Sequence, residues 1–172
     1  MSGEADLQQR EGEKRRMLFF TSGGEAFALA IEAVEEIVIG GDCTPVPLAP
    51  PSVVGVINHR GRIFTVLDFA RLAGFAAGEG AGPSVFLHHD EMAVGFTVES
   101  IEGIDGVPRS ILERADQASG ENAPTFLRGL LDFEGRMATI IDPARLAEII
   151  GGLSGDGEEE RAGIERSSSY GS

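Results

Sequence analysis

Tryptophan is absent from the 172 residues, and tyrosine and cysteine occur once each. The lone Cys43 cannot close an intramolecular disulfide, and no Cys/His spacing of a zinc site is present. Lys and Arg are scarce, 14 against 28 Asp and Glu, which leaves a formal net charge of −14. Binding to nucleic acid needs the opposite balance, because phosphates are neutralised by cationic side chains. No apolar run approaches the length of a membrane span, and no hydrophobic leader follows Met1, so a cytoplasmic protein without membrane insertion is expected. The G-x-S-x-G elbow and the phosphate-binding loop are missing too. No enzyme class is favoured, and neither a metal nor a cofactor is expected.

What is present is a core and a repetition. Apolar residues make up 42% of the chain, enough to bury a core, and 24 glycines suit many tight turns. Residues 55–72 read GVINHRGRIFTVLDFARL, and residues 129–146 read GLLDFEGRMATIIDPARL. The two align without a gap: Gly55 on Gly129, Gly61 on Gly135, Thr65 on Thr139, Asp68 on Asp142, Leu72 on Leu146. Each predicts strand, tight turn, strand and helix. Val53–Ile57 and Ile63–Leu67 are the strands of the first copy, and Asn58-His59-Arg60-Gly61 is its turn, with Gly61 at positive φ. Asp68 and Asp142 are each placed to cap the helix that follows, and Pro143 suits a first helical position. Ile63, Val66, Ile140 and Ile141 are expected in the core.

A second alignment starts each half. Residues 17–37 match residues 84–104 without a gap, Phe19 on Phe86, Glu32 on Glu99, Glu35 on Glu102 and Ile37 on Ile104. Met17–Phe20 and Glu25–Ala30 flank Ser22-Gly23-Gly24 and predict a hairpin. Ile31, Val34, Ile37 and Val38 then fall at helical spacing, which predicts a short helix or turn. Each half is thus hairpin, short turn or helix, hairpin and capped helix. So few short strands hide both sheet faces only by curling, so the expected fold is mostly β, two pseudo-repeated small barrels.

Residues 1–16 are polar and predict a mobile arm. Residues 45–51, PVPLAPP, predict a stiff surface connector, although they contain a P-x-x-P pattern. Residues 75–83 form a glycine-rich link, a short helix is expected near 110–116, and the acidic stretch 151–172 is expected to be disordered. The domain of interest is 17–150, with a first barrel at about 17–77, a second at about 84–150, and elements free to exchange between them.

The chemical candidates have simpler explanations. His88-His89-Asp90-Glu91 resembles a metal cluster, but neighbouring residues on a strand point to opposite faces, and the repeat aligns these four with a hairpin turn. Asp68 and Asp142 are explained as caps, and nothing marks a base for Cys43. A small-ligand-binding or hydrolytic barrel using His59, Asp68 and His88 is the alternative to a binding scaffold.

Val34-Glu35-Glu36-Ile37, the proline segment, Gly55-Val56-Ile57-Asn58-His59-Arg60-Gly61-Arg62, Asp68 and residues 129–146 together resemble the bacterial chemotaxis coupling proteins, the CheW family. The resemblance spans about Met17 to Ile150. It implies two SH3-like five-stranded barrels packed together, with short helices. It implies a non-catalytic adaptor, at receptor arrays, joining the cytoplasmic tip of a methyl-accepting chemoreceptor to the regulatory domain of a CheA-type histidine kinase. Val34, Asn58, Arg60, Ser100 and Ile101 then correspond to receptor-binding positions, and Glu36, Val54 and Gly55 to kinase-binding positions. His59 stands where the family usually carries leucine, and Glu99 where it usually carries aspartate.

Overall fold

β1 (Lys14–Ser22) and β2 (Glu25–Ala30) form the first hairpin, with Met17 opposite Ala30 and Ser22 opposite Glu25. The computed structural model describes residues 3–4, 12–76, 82–115 and 124–153. A 3-10 turn (Ile31–Ala33) leads into β3 (Val34–Val38), followed by β4 (Val53–His59), β5 (Arg62–Asp68) and the short helix α1 (Phe69–Leu72). The second half holds β6 (Ser84–Leu87), β7 (Val94–Thr97), β8 (Ser100–Pro108), helix α2 (Arg109–Ala115), β9 (Leu127–Phe133) and β10 (Arg136–Ile141). Helix α3 closes it over residues 143–153.

The strands form two five-stranded sheets, in the orders β8-β1-β2-β10-β9 and β3-β6-β7-β5-β4. These orders are one order under the internal repeat. The first hairpin of each half sits in the sheet built by the rest of the other half, so the sheets do not follow the boundaries 17–77 and 84–150. Even the register repeats. Thr139 lies beside Phe27 in the parallel pair β10 and β2, and Thr65 lies beside Val94 in the parallel pair β5 and β7. Those residues are equivalent in the two alignments.

Exchange explains why Met17-Leu18-Phe19-Phe20 is apolar without alternation. Met17 and Phe19 face a cluster inside the first sheet, with Ala28, Leu131, Ala138 and Ile140. Leu18 and Phe20 face a larger cluster shared by both sheets, with Phe27, Leu67, Phe69, Val85, Phe96, Phe126 and Ile141. A third cluster, Ile57, Phe64, Val66 and Phe86, fills the second sheet. From Met17 to Phe20 both faces of β1 are dry, as in any strand between two apolar layers.

The structure corrects four expectations. The expected short helix or turn is confined to a 3-10 turn at Ile31–Ala33, and Val34–Val38 is a strand. A β-bulge between Val34 and Glu36 puts Val34 and Ile37 against the same cluster, three residues apart, and that spacing imitates a helical period. Lys14-Arg15-Arg16 do not belong to an arm, since they pair with Pro108, Val107 and Gly106. Helix α3 continues through residues 151–153, and the rest of the expected acidic tail lies outside the described residues, as does most of the arm and part of the glycine-rich link.

The fourth correction is Ile63, which is 63% exposed, whereas Val66, Ile140 and Ile141 are buried. Phe64 and Val66 point into the second sheet's cluster, so Ile63 points out, and the shared cluster does not reach the hairpin tip. Ile63→Ala should therefore leave the urea unfolding free energy within about 0.5 kcal/mol of the parent, as at other surface positions.

The caps form as the sequence indicates. Asp68 Oδ1 accepts from the amide of Ala70 at 3.0 Å, and Asp142 Oδ1 from the amides of Ala144 at 3.1 Å and Arg145 at 3.3 Å. Asp68→Ala and Asp142→Ala should each cost about 1 kcal/mol in urea denaturation.

Candidate functional site

The second sheet has β3 and β4 as its outer strands. Between β3 and the β4–β5 hairpin, side chains supply the contacts. Nε2 of His59 donates to Glu36 Oε2 at 2.7 Å, and Arg60 reaches Glu36 Oε1 at 3.2 Å. One strand position away, Arg62 donates to Glu35 at 2.6 Å. The imidazole also lies 5.6 Å from the Phe86 ring, an apolar body with its polar tip on the seam.

The hairpin itself is tighter than the sequence suggests. His59 and Arg62 pair within the strands, so the turn is Arg60-Gly61 alone. Arg60 has φ 51° and Gly61 φ 78°, and the equivalent Glu134 and Gly135 have φ 51° and 76°. Both tips are two-residue turns with two left-handed residues, the type that matches strand twist.

The segment between β3 and β4 lies along β4. Thr44 and Val56 exchange two backbone hydrogen bonds, each 2.8 Å. Gly55 is what allows this approach, since a Cβ there would collide with the Thr44 carbonyl and lie 2.8 Å from Cys43 Sγ. Burial pushes the Cys43 thiol above its ordinary pKa, the reverse of what a nucleophile needs.

The residues singled out from the sequence fall into three places. Val34 and Ile101 pack at the margin of the shared cluster, Val34 opposite Leu87 and Ile101 opposite Phe20. Ser100, next to Ile101, hydrogen-bonds to Thr21 and donates to Glu102 at 3.0 Å. Asn58 and Arg60 lie at the hairpin tip, Asn58 exposed and Arg60 with 78% of its side chain in solvent. Val54 is exposed on β4, while Gly55 beside it is buried under the connector. Glu36, expected with the kinase set, is in contact with Arg60, expected with the receptor set, so the two sets meet at one carboxylate.

The alternative constellation does not assemble. Asp68 ends β5, whereas His59 pairs with Arg62 at its start, six residues and about 20 Å away. His88 uses its amide to reach the Ala33 carbonyl at 2.9 Å, and His89 Nδ1 accepts from the amides of Glu91 and Met92. Among the described residues no group of three His, Cys, Asp or Glu side chains is arranged to hold a metal ion. Sequence reasoning missed the docking of the connector and the Glu35–Arg62 pair. The signal for the pair was there, two adjacent acids in Val34–Ile37 and a basic run at His59–Arg62.

Residues 16–150 match the family model of the CheW-like domain. The chain is 31% identical over 130 residues to the chemotaxis protein CheW of Rhizobium meliloti, covering 74% of this chain and 84% of that one. It is 27% identical over 135 residues to the chemotaxis protein CheW of Thermotoga maritima, covering 78% and 88%. The fold is similar to the crystal structure of the scaffolding protein TtCheW from Thermoanaerobacter tengcongensis. That likeness has a TM-score of 0.65 at 22% identity and covers 75% of this chain and 89% of that one.

Proposed function

The chain belongs to the CheW-like domain family, and from that premise we propose that it is a chemotaxis adaptor coupling chemoreceptors to a CheA-type histidine kinase. The family match across 16–150 carries the reading, because it spans both sheets and every residue assigned to a contact. Among the described residues no helix is long and apolar enough to cross a membrane. The protein performs no catalysis of its own and works by presenting surfaces, in the cytoplasm, at receptor arrays.

The finer assignment is two neighbouring surfaces. Val34, Ser100 and Ile101 at the margin of the shared apolar cluster, with Asn58 and Arg60 at the hairpin tip, take the receptor's cytoplasmic tip. Glu36, Val54 and Gly55 take the regulatory domain of the kinase along the outer strands of the second sheet. Rigid strands favour such use, since a preformed surface loses little entropy on binding. The test is reconstitution from purified parts: this protein, a receptor cytoplasmic fragment and a CheA-type kinase. A ternary complex at micromolar concentration is expected, and failure to bind either partner overturns the reading.

A further inference from the structure

The connector carries an apolar group that the fold does not use. Leu48 is 101% exposed, as open as a leucine in an extended peptide, and it holds a left-handed backbone, φ 61°. Leucine disfavours that conformation, and glycine or asparagine would adopt it more readily. A side chain that is both strained and fully solvated adds nothing to the folded state, and strain of this kind collects at binding sites.

The surroundings hold Leu48 still. Prolines 45, 47, 50 and 51 restrict the connector. The Ala49 amide closes a turn on the Val46 carbonyl at 3.3 Å, and the Val53 amide bonds the Pro50 carbonyl at 2.9 Å. Arg71 donates to the Pro51 carbonyl at 3.0 Å, and the Thr44–Val56 pair fastens the other end to β4. The route is continuous with the kinase-facing strands. The connector leaves β3 just beyond Glu36, passes the 85% exposed Ile39, crosses to β4 at Thr44 and returns to the exposed Val54.

We infer that the Leu48 turn is an apolar knob that seats in a hydrophobic socket on the kinase's regulatory domain. This rests on the kinase-coupling reading above. Gly55 then acts in kinase binding as a positioning residue, by letting the connector lie on β4, and not through its own contact. A receptor is the poorer occupant, because the receptor residues gather around the shared cluster and the hairpin tip, not along the connector. Burying a preorganised aliphatic side chain in a dry pocket is how few residues come to dominate an interface.

The experiment titrates the full chain, Leu48→Asp and Leu48→Gly against the kinase regulatory domain and against a receptor fragment. Thermal unfolding and sedimentation are run on the same proteins. Leu48→Gly keeps the turn and relieves the left-handed leucine, so it separates loss of the knob from loss of the fold. Both variants should bind the kinase domain about tenfold more weakly or worse. Receptor affinity should be unchanged, and the midpoint of Leu48→Gly should be equal or higher. Parent-like kinase affinity in both variants overturns the knob and leaves the adaptor reading standing. Loss confined to receptor binding, or to self-association in sedimentation, overturns it by naming another occupant. A parent protein that binds no kinase overturns both.

Discussion

Truncating Phe69 to alanine should remove about 3–5 kcal/mol of stability in urea denaturation, the range for a buried phenylalanine cut back to a methyl. Phe69 opens α1 and is fully buried. Its ring centroid lies 4.8 Å from Phe27, 5.0 Å from Phe20, 5.1 Å from Phe96 and 5.9 Å from Phe126. Two of those neighbours come from the first half of the chain and two from the second. The cavity would open where both sheets meet, and the regular strands around it cannot close in without losing register. An effect below about 1 kcal/mol would show that the shared cluster is not the joint between the sheets.

Arg60→Ala should weaken binding to a receptor fragment by about 1–3 kcal/mol, the scale of a charged interface hydrogen bond, and shift the unfolding free energy by no more than about 0.5 kcal/mol. The small stability effect follows from exposure, because an ion pair with one partner 78% in solvent is worth little. The repeat gives an internal control. Arg60 and Glu134 hold the same backbone angle at equivalent tips with opposite charge, so the fold requires the turn and not the cation. Arg60→Glu has a wider reach. It sets a second carboxylate against Glu36, so kinase binding should fall with receptor binding. Isothermal titration against each partner reads the split, and unchanged receptor affinity in Arg60→Ala would return this arginine to solvent.

Much of the fold was legible because the chain states it twice. The hairpins at 17–30 and 53–68, the Asp68 and Asp142 caps and the mostly β class follow from alternation, turn residues and cap chemistry, all of them local. What stayed hidden depends on distant partners. No local pattern says that β2 lies beside β10, and period alone could not separate a bulged strand at Val34–Val38 from a helix. Ile63 misled because a β-branched run was read as buried on both faces, while the second apolar layer ends before the tip. The candidate contact residues are proposed through resemblance to a family. The meeting of Arg60 with Glu36 was not legible, because it depends on the hairpin tip folding back onto β3.

The exchange of hairpins between sheets has a consequence for the order of events during synthesis. Neither sheet can be completed from one half of the chain, since β1 and β2 must wait for β8, β9 and β10. The first 76 residues carry β1 to β5 but not the second-half neighbours of β1, β2, β3 and β5, so four strand edges have no partner until the second half is made. Nonlocal pairings of this kind are slow to form. A half chain with this topology completes its sheet only by lending its hairpin to a second copy, as swapped dimers do. Joining two such halves in one chain replaces an encounter between molecules with a closure at high effective concentration. Two halves in one chain thus fold without dependence on protein concentration, and the two equivalent tips are free to carry different residues, Arg60 and Glu134.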